Sequence, residues 1–128
     1  MIKIAVIDDD PAIVDVYATM LSFFGYEPMV FTDPTDALAR IPQEETLPSL
    51  ILLDLMMTPM TGLQFLEKRR GISRLKDIPV FIVSAWDVSD DDRVRYAGDF
   101  CEVIRKPVFP RDLAEKIARK LSLPATGF

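Results

Sequence analysis

The hydrophobic and polar positions of the chain follow two alternating patterns. Lys3 to Ile7 is a short, almost wholly apolar run that stops at Asp8, as expected of a strand buried on both faces. Asp10 and Pro11 then suit the N-cap and first residue of a helix, and Gly25 suits its end. Between them, apolar residues recur at helical spacing, at Ile13, Val16, Tyr17, Met20, Leu21 and Phe24. The pattern predicts a strand followed by an amphipathic helix.

The same alternation continues to the end of the chain. Further strands are predicted at Glu27 to Phe31, Leu50 to Leu53, Pro79 to Val83 and Glu102 to Arg105. Further helices are predicted from Asp33-Pro34 to before Pro42, from Thr61 to about Arg70, between Asp87 and Tyr96, and from Pro110 to Leu121. Strands that alternate with helices of this length favour an α/β domain, with a parallel sheet covered on both faces. We expect the domain to span residues 1–121, and residues 122–128 to be a tail.

Composition narrows the range of functions. The chain has 128 residues, one cysteine, no histidine, and 20 acidic against 15 basic side chains, for a net charge of -5. The single Cys101 excludes an internal disulfide, and the missing histidine excludes His triads and His metal ligands. No apolar run is long enough to span a membrane, so we expect a cytoplasmic protein without membrane contact. The acidic balance disfavours direct binding of nucleic acid by this domain.

Polar side chains follow four of the predicted strands. Asp8 and Asp9 follow the first strand, Asp54 the third, Ser84 the fourth and Lys106 the fifth. In an open parallel sheet, the carboxyl ends of the strands line the crevice where ligands bind. Three carboxylates there repel one another unless a cation joins them, and oxygen ligands without His or Cys favour Mg²⁺. With a hydroxyl and an ammonium beside them, they suit the oxygens of a phosphoryl group.

These motifs resemble those of the receiver domain of two-component response regulators. They are the acid pair in Val6-Ile7-Asp8-Asp9, the aspartate in Leu52-Leu53-Asp54-Leu55, Ser84-Ala85 and Lys106-Pro107, in a resemblance that covers about residues 2–121. It implies a flavodoxin-like, doubly wound (βα)5 fold with strand order 2-1-3-4-5. It also implies a phosphoacceptor switch in a phosphorelay rather than an enzyme, apart from self-phosphorylation by small phosphodonors and autodephosphorylation. The donor would be the phosphohistidine of a sensor histidine kinase or phosphotransfer protein.

The resemblance also implies a role for each site residue. Asp54 is the phosphoacceptor, Lys106 binds a phosphoryl oxygen and the Asp54 carboxylate, and Ser84 moves toward the phosphoryl group. The implied Mg²⁺ ligands are Asp8 through water, Asp9, Asp54 and the Met56 carbonyl. Lys106-Pro107 is expected to be a cis peptide. The conformational change that follows phosphorylation is expected to reach the face formed by the fourth helix, fifth strand and fifth helix. The phosphorylated domain would act on a downstream protein effector, on a covalently linked output domain, or through a phosphorylation-dependent homodimer.

Some positions depart from the family pattern. Thr58, Pro59 and Thr61 replace the usual loop residues after the acceptor, and Val103 replaces the aromatic switch residue. Thr61 with Gln64 still matches a capping box for the third helix. We therefore expect the chemistry of the site to be kept and the output mechanism to differ.

Simpler interpretations and two other functions stay open. Asp10 is better explained as a helix cap than as a metal ligand. Side chains expected to pack in the core are Cys101, Phe23, Phe24, Phe65 and Phe81, whereas Trp86 is expected at the rim of the crevice. One alternative function is a receiver-like interaction module that takes no phosphate. The other is a small phosphatase whose aspartyl nucleophile lies in Asp8-Asp9-Asp10, although Pro11 and the short chain argue against it.

Overall fold

The chain alternates five strands with five α-helices. The computed structural model describes residues 1–121, and the predicted tail at 122–128 lies outside them. The strands are β1 (Lys3–Ile7), β2 (Glu27–Phe31), β3 (Leu50–Leu53), β4 (Val80–Ser84) and β5 (Glu102–Arg105). The helices are α1 (Pro11–Phe23), α2 (Pro34–Arg40), α3 (Gly62–Arg69), α4 (Asp90–Arg95) and α5 (Pro110–Lys120), with a 3₁₀ turn at Ile41–Gln43 after α2.

The strands form one parallel sheet in the order β2-β1-β3-β4-β5, as the resemblance implied. The strand β1 pairs with β2 on one side and with β3 on the other, so that Ile7 lies beside both Phe31 and Leu53. The strand order therefore reverses at β1. Beyond the carboxyl ends of β1 and β3, the connecting loops diverge and leave a crevice for a ligand.

Apolar layers cover both faces of the sheet. In β1, Ala5 and Ile7 pack into the layer beneath α2 and α3, whereas Ile4 and Val6 pack into the layer beneath α1 and α5. Every residue of β3 is at most 1% exposed. This burial on both faces explains why β1, β3 and β4 are nearly continuous apolar runs rather than alternating ones.

The side chains predicted to cap the N-termini of α1 and α3 form those caps. The Asp10 carboxylate accepts a hydrogen bond from the Ala12 N–H at 3.0 Å and caps α1. Thr61 and Gln64 form the reciprocal capping box of α3. Because these caps satisfy backbone N–H donors at the helix N-termini, they fix the residue at which each helix begins.

Two elements differ in extent from the prediction, and a third is followed by a turn that was not predicted. The strand β4 begins at Val80 rather than Pro79 and includes Ser84. Helix α2 ends before Pro42, as predicted, but the chain continues through Pro42 as a 3₁₀ turn, whose tighter winding accepts proline near its start. The helix α4 has six residues and none of them is buried, which explains its weak apolar pattern.

Two of the predicted core residues are on the surface. Phe65 and Phe81 are buried as predicted, but Phe23 is 82% exposed because it is the last residue of α1 and lies off the buried side of that helix. Cys101 is also exposed, since it precedes β5 at the edge of the sheet. Within residues 1–121, no helix combines the length and hydropathy needed to cross a membrane.

Candidate functional site

The sheet itself positions the polar residues at the ends of the strands. The Asp8 N–H donates to the Phe31 carbonyl and the Asp54 N–H donates to the Ile7 carbonyl, both at 3.1 Å. The Lys106 N–H donates to the Ser84 carbonyl at 2.9 Å. These bonds continue the hydrogen-bond ladder past the strand ends, so the sheet fixes the backbone positions of the site residues.

Lys106 lies between two of the carboxylates. Its Nζ donates to Asp8 Oδ2 at 2.7 Å and to Asp54 Oδ2 at 3.2 Å. Asp8 is 3% exposed and Asp54 is 9% exposed. The ammonium therefore balances charge in a region with little access to water. The Lys106-Pro107 peptide is cis, as the resemblance implied, and so is Thr58-Pro59, which was not anticipated.

The three groups respond differently to this environment. Burial raises the pKa of Asp8 above its ordinary value, outweighing the hydrogen bonds from Lys106 and the Asp10 N–H. Burial also acts to raise the pKa of Asp54, but the Ser84 hydroxyl and the Lys106 charge outweigh it, and that pKa lies below its ordinary value. Burial acts to lower the pKa of Lys106, but Asp8 and Asp54 raise it overall. Asp54 is therefore an ionised carboxylate at neutral pH.

The loop after β3 contacts two acidic side chains. Exposed Asp9 accepts a hydrogen bond from the Thr58 N–H at 3.3 Å, and Asp54 Oδ1 accepts one from the Met56 N–H, also at 3.3 Å. Among residues 1–121, no three acidic side chains form a preassembled metal site. The prediction of three adjacent carboxylates is thus met only in part, because Lys106 bridges two of them and Asp9 turns to the loop.

Ser84 begins the loop between β4 and α4. It is fully buried, and its Oγ accepts a hydrogen bond from the Trp86 N–H at 3.3 Å. Arg105 of β5 donates to the Ala85 carbonyl at 3.0 Å. The hydroxyl is therefore part of a local turn as well as a neighbour of Asp54. Trp86 is 61% exposed in this loop.

Gly62 is a site residue that the sequence analysis missed. A Cβ at this position would lie 2.2 Å from the Asp54 carbonyl oxygen and 2.9 Å from the Leu55 Cα. The Gly62 N–H donates to the Leu55 carbonyl at 2.8 Å. The first turn of α3 thus packs on the backbone of Asp54 itself. A glycine at the first position of a helix, where it is a poor helix former, was the signal available in the sequence.

This fold and this constellation of residues define a class of protein. The sheet order, the buried Asp8 and Asp54 with Lys106 between them, and the hydroxyl of Ser84 are those of a flavodoxin-like receiver. The family model of the response regulator receiver domain matches residues 4–118. The chain therefore belongs to the response regulator receiver domains of two-component systems.

Known proteins of the same family resemble the chain over nearly its whole length. It is 32% identical over 123 residues to the DNA-binding dual master transcriptional regulator RpaA of Synechocystis sp., a match that covers 96% of this chain and 49% of RpaA. It is 32% identical over 119 residues to the phosphate regulon regulator PhoB of Escherichia coli, covering 90% and 49%. The chain thus spans about half the length of the curated relatives it matches.

The solved structures agree with this assignment. A CheY-like receiver domain from Methanospirillum hungatei JF-1 has a TM-score of 0.82 and 32% identity, over 95% of this chain and 94% of that one. The N-terminal receiver domain of a Methanoculleus marisnigri JR1 regulator has a TM-score of 0.75 and 34% identity, over 95% and 98%.

Proposed function

We propose that the chain is a phosphoacceptor switch in which Asp54 takes a phosphoryl group from the phosphohistidine of a partner kinase or phosphotransfer protein. The observation that carries this proposal is the environment of Asp54, whose carboxylate is buried, contacts Lys106 and has a lowered pKa. A buried carboxylate kept ionised by an ammonium is prepared to attack phosphorus rather than to carry a proton.

The proposed transfer is a simple displacement. An Asp54 carboxylate oxygen attacks the phosphorus, forming a P–O bond. The P–N bond of the donor breaks, and its electron pair returns to the imidazole nitrogen. The product is an acyl phosphate on Asp54. The histidine that this chain lacks is thus supplied by the donor.

The residues around Asp54 fit a Mg²⁺ ion. The proposed donors are the carboxylates of Asp9 and Asp54, the Met56 carbonyl, and Asp8 through water, all oxygen ligands of the kind Mg²⁺ prefers. With Lys106, the three carboxylates leave two negative charges in the crevice, the charge that one divalent cation neutralises. When bound, Mg²⁺ would screen the carboxylates from the incoming phosphoryl oxygens. A protein of the same fold, TrrA of Thermotoga maritima, has been solved in complex with Mg²⁺-BeF.

Two further residues are proposed to hold the phosphoryl group. Lys106 would pair with one of its oxygens, and the Ser84 hydroxyl would donate to another. For Ser84 to do so, its bond from the Trp86 N–H at 3.3 Å must loosen. The loop after β4 would then move with Ser84 and transmit this movement toward α4, β5 and α5. Val103 lacks the aromatic ring used elsewhere in the family for this coupling, so the relay would run through the loop backbone instead.

The proposed partners follow from this role. Upstream, we expect a sensor histidine kinase or phosphotransfer protein in the cytoplasm. Downstream, the receiver would act on a protein effector, a phosphorylation-dependent homodimer, or a linked output domain. The relatives RpaA and PhoB are transcriptional regulators about twice as long as their match to this chain. We assign the receiver to residues 1–121 and the tail to 122–128.

Incubation with Mg²⁺ and acetyl phosphate or phosphoramidate tests the proposal. We expect intact mass and peptide mapping to show a hydroxylamine-sensitive adduct on Asp54 that Asp54→Ala abolishes. Asp10→Asn is the matched control, because Asn still caps α1 and the carboxylate it removes is assigned no role in the transfer.

Other outcomes would favour the alternative functions. A chain that stays unmodified with Mg²⁺ present would indicate an interaction module that takes no phosphate. An adduct on Asp8 would indicate a phosphatase-like nucleophile. Against this second alternative, burial raises the pKa of Asp8, so the protonated carboxyl is favoured there more than at Asp54.

A further inference from the structure

A short exposed segment follows Ser84 in the loop between β4 and α4. Ala85, Trp86 and Asp87 are exposed, whereas Ser84 and Val88 on either side of them are buried. No residue of α4 is buried either. Because apolar packing does little to hold these three residues, their position depends on polar contacts made from neighbouring elements. We call them the 85–87 segment.

Arg105 of β5 makes two of these contacts. Its Nη2 donates to the Ala85 carbonyl at 3.0 Å, and its Nη1 lies 4.0 Å from Asp87 Oδ2. The other oxygen of Asp87 accepts a hydrogen bond from Arg93 of α4 at 2.7 Å. The backbone of Arg105 is itself fixed, because it is the register partner of Ser84 in the parallel pair of β4 and β5. Arg105 therefore ties the 85–87 segment to the sheet beside Ser84.

The Ser84 hydroxyl and Arg105 hold opposite ends of one peptide group. The N–H of Trp86 donates to Ser84 Oγ at 3.3 Å, and the carbonyl of Ala85 accepts from Arg105. This N–H and this carbonyl belong to the same planar unit, so neither end can turn without the other. If Ser84 moves toward a phosphoryl group on Asp54, the peptide must turn, and the bond from Arg105 opposes that turn.

We propose that Arg105 is a positioning residue that holds the Ala85–Trp86 peptide turned toward Ser84 and so restrains the movement of Ser84. This inference rests on the proposed phosphoacceptor function and names a residue that limits it. Val103 has an apolar side chain and cannot make such a contact, so Arg105 supplies a polar link between β5 and the 85–87 segment.

Titration of the full chain with beryllofluoride, a mimic of the phosphoryl group, tests the restraint in the presence of Mg²⁺. Trp86 is the single tryptophan of the chain, so its fluorescence reports both the binding and the movement of the segment. Arg105→Met should lower the Kd by about three- to tenfold, because it removes a hydrogen bond that is otherwise lost on binding. Loss of a cation would by itself weaken the binding of an anion, so the sign of the change separates the two effects.

Three further variants locate the effect. Arg119→Met is the matched control, because it removes an exposed cation that pairs with Glu115 on α5, and its Kd should equal that of the wild type. Arg105→Lys keeps a cationic donor, so its Kd should lie between those of the wild type and Arg105→Met. In a Ser84→Ala background, Arg105→Met should leave the Kd unchanged, because the hydroxyl through which Arg105 acts is gone.

The experiment separates failure of this inference from failure of the proposed function. A wild-type chain that binds no beryllofluoride with Mg²⁺ present would overturn the phosphoacceptor function and this inference with it. If the wild type binds and the Kd of Arg105→Met is equal or higher, the function stands and the restraint by Arg105 is wrong. A lowered Kd that persists undiminished in the Ser84→Ala background would show that Arg105 does not act through Ser84.

Discussion

At the scale of single residues, the proposed acceptor site depends on the lack of a side chain at Gly62. Gly62 has no Cβ, and the space that a Cβ would need is taken by the Asp54 carbonyl oxygen. The start of α3 and the end of β3 are therefore in direct backbone contact. Any side chain at position 62 must push these elements apart, and Asp54 with them.

We predict that Gly62→Ala weakens both stability and phosphorylation. Overpacking at this contact should cost about 1–3 kcal/mol in the free energy of unfolding, measured by denaturant titration. It should also slow labelling of Asp54 by acetyl phosphate, because the carboxylate moves relative to Lys106. The control is Gly71→Ala, where the nearest atom to the added Cβ is an ordinary 3.8 Å away. Equal stability of the two variants would show that the contact at Gly62 relaxes freely.

The site residues could be predicted from the sequence, but their contacts could not. Asp8, Asp54, Ser84 and Lys106 were identified because each follows an apolar strand, and the sheet brings strand ends together. Sequence reasoning placed Lys106 against Asp54, whereas its shorter contact is with Asp8, at 2.7 Å against 3.2 Å. The rotamer of a long side chain such as Lys106 depends on the local charge and burial, and a sequence motif gives neither.

At the scale of elements, strands were easier to predict than helix faces. Strand β3 was placed without error because its apolar run is bounded by polar residues. Helix α1 was also placed correctly, but its apolar stripe includes Val16, which is 54% exposed. Helical periodicity shows that a stripe exists, and only the packed structure shows how much of it the sheet covers.

Arg69 joins three elements that no sequence pattern connected. It is the last residue of α3 and is 3% exposed. Its guanidinium donates to the carbonyls of Leu75, Lys76 and Asp99, so it ties α3 to the segment before β4 and the loop before β5. Burial lowers the pKa of Arg69 from its ordinary value. Its Nε has no hydrogen-bond partner among residues 1–121.

We predict that Arg69→Met destabilises the fold strongly. The variant keeps an apolar stem of similar length but leaves three carbonyls without their donor, at a cost of roughly 3 kcal/mol. Arg119→Met is the matched control. Arg119 pairs with Glu115 on α5, and both side chains are exposed, so the pair should contribute little. Chemical denaturation of both variants gives the comparison, and a loss at Arg119 as large as that at Arg69 would contradict the proposed role of burial.

At the scale of the whole molecule, the net charge of -5 is distributed unevenly. Asp8, Asp9, Asp54 and Lys106 together contribute -2 at one end of the sheet. The apolar groove between α1 and α5 is lined instead by one acid, Asp15, and one base, Arg111. The excess negative charge of the crevice is the charge that the proposed divalent cation would neutralise.

The role of Lys106 in this balance leads to a prediction about Mg²⁺ and stability. Without metal, the ammonium is the group that compensates Asp8 and Asp54. Lys106→Met should therefore lower the free energy of unfolding by about 2 kcal/mol in metal-free buffer. Added Mg²⁺ stabilises any folded chain that binds it, and it should stabilise this variant more than the wild type, because the crevice then holds three uncompensated carboxylates.

Thermal unfolding with and without Mg²⁺ measures both effects. Lys116→Met is the matched control, because Lys116 pairs with Glu102 outside the crevice, and its Mg²⁺-induced shift in Tm should equal that of the wild type. If Lys106→Met gained no more from Mg²⁺ than Lys116→Met does, the ammonium and the metal would not be compensating the same charges, and the assignment of Asp8, Asp9 and Asp54 as one cation site would be wrong.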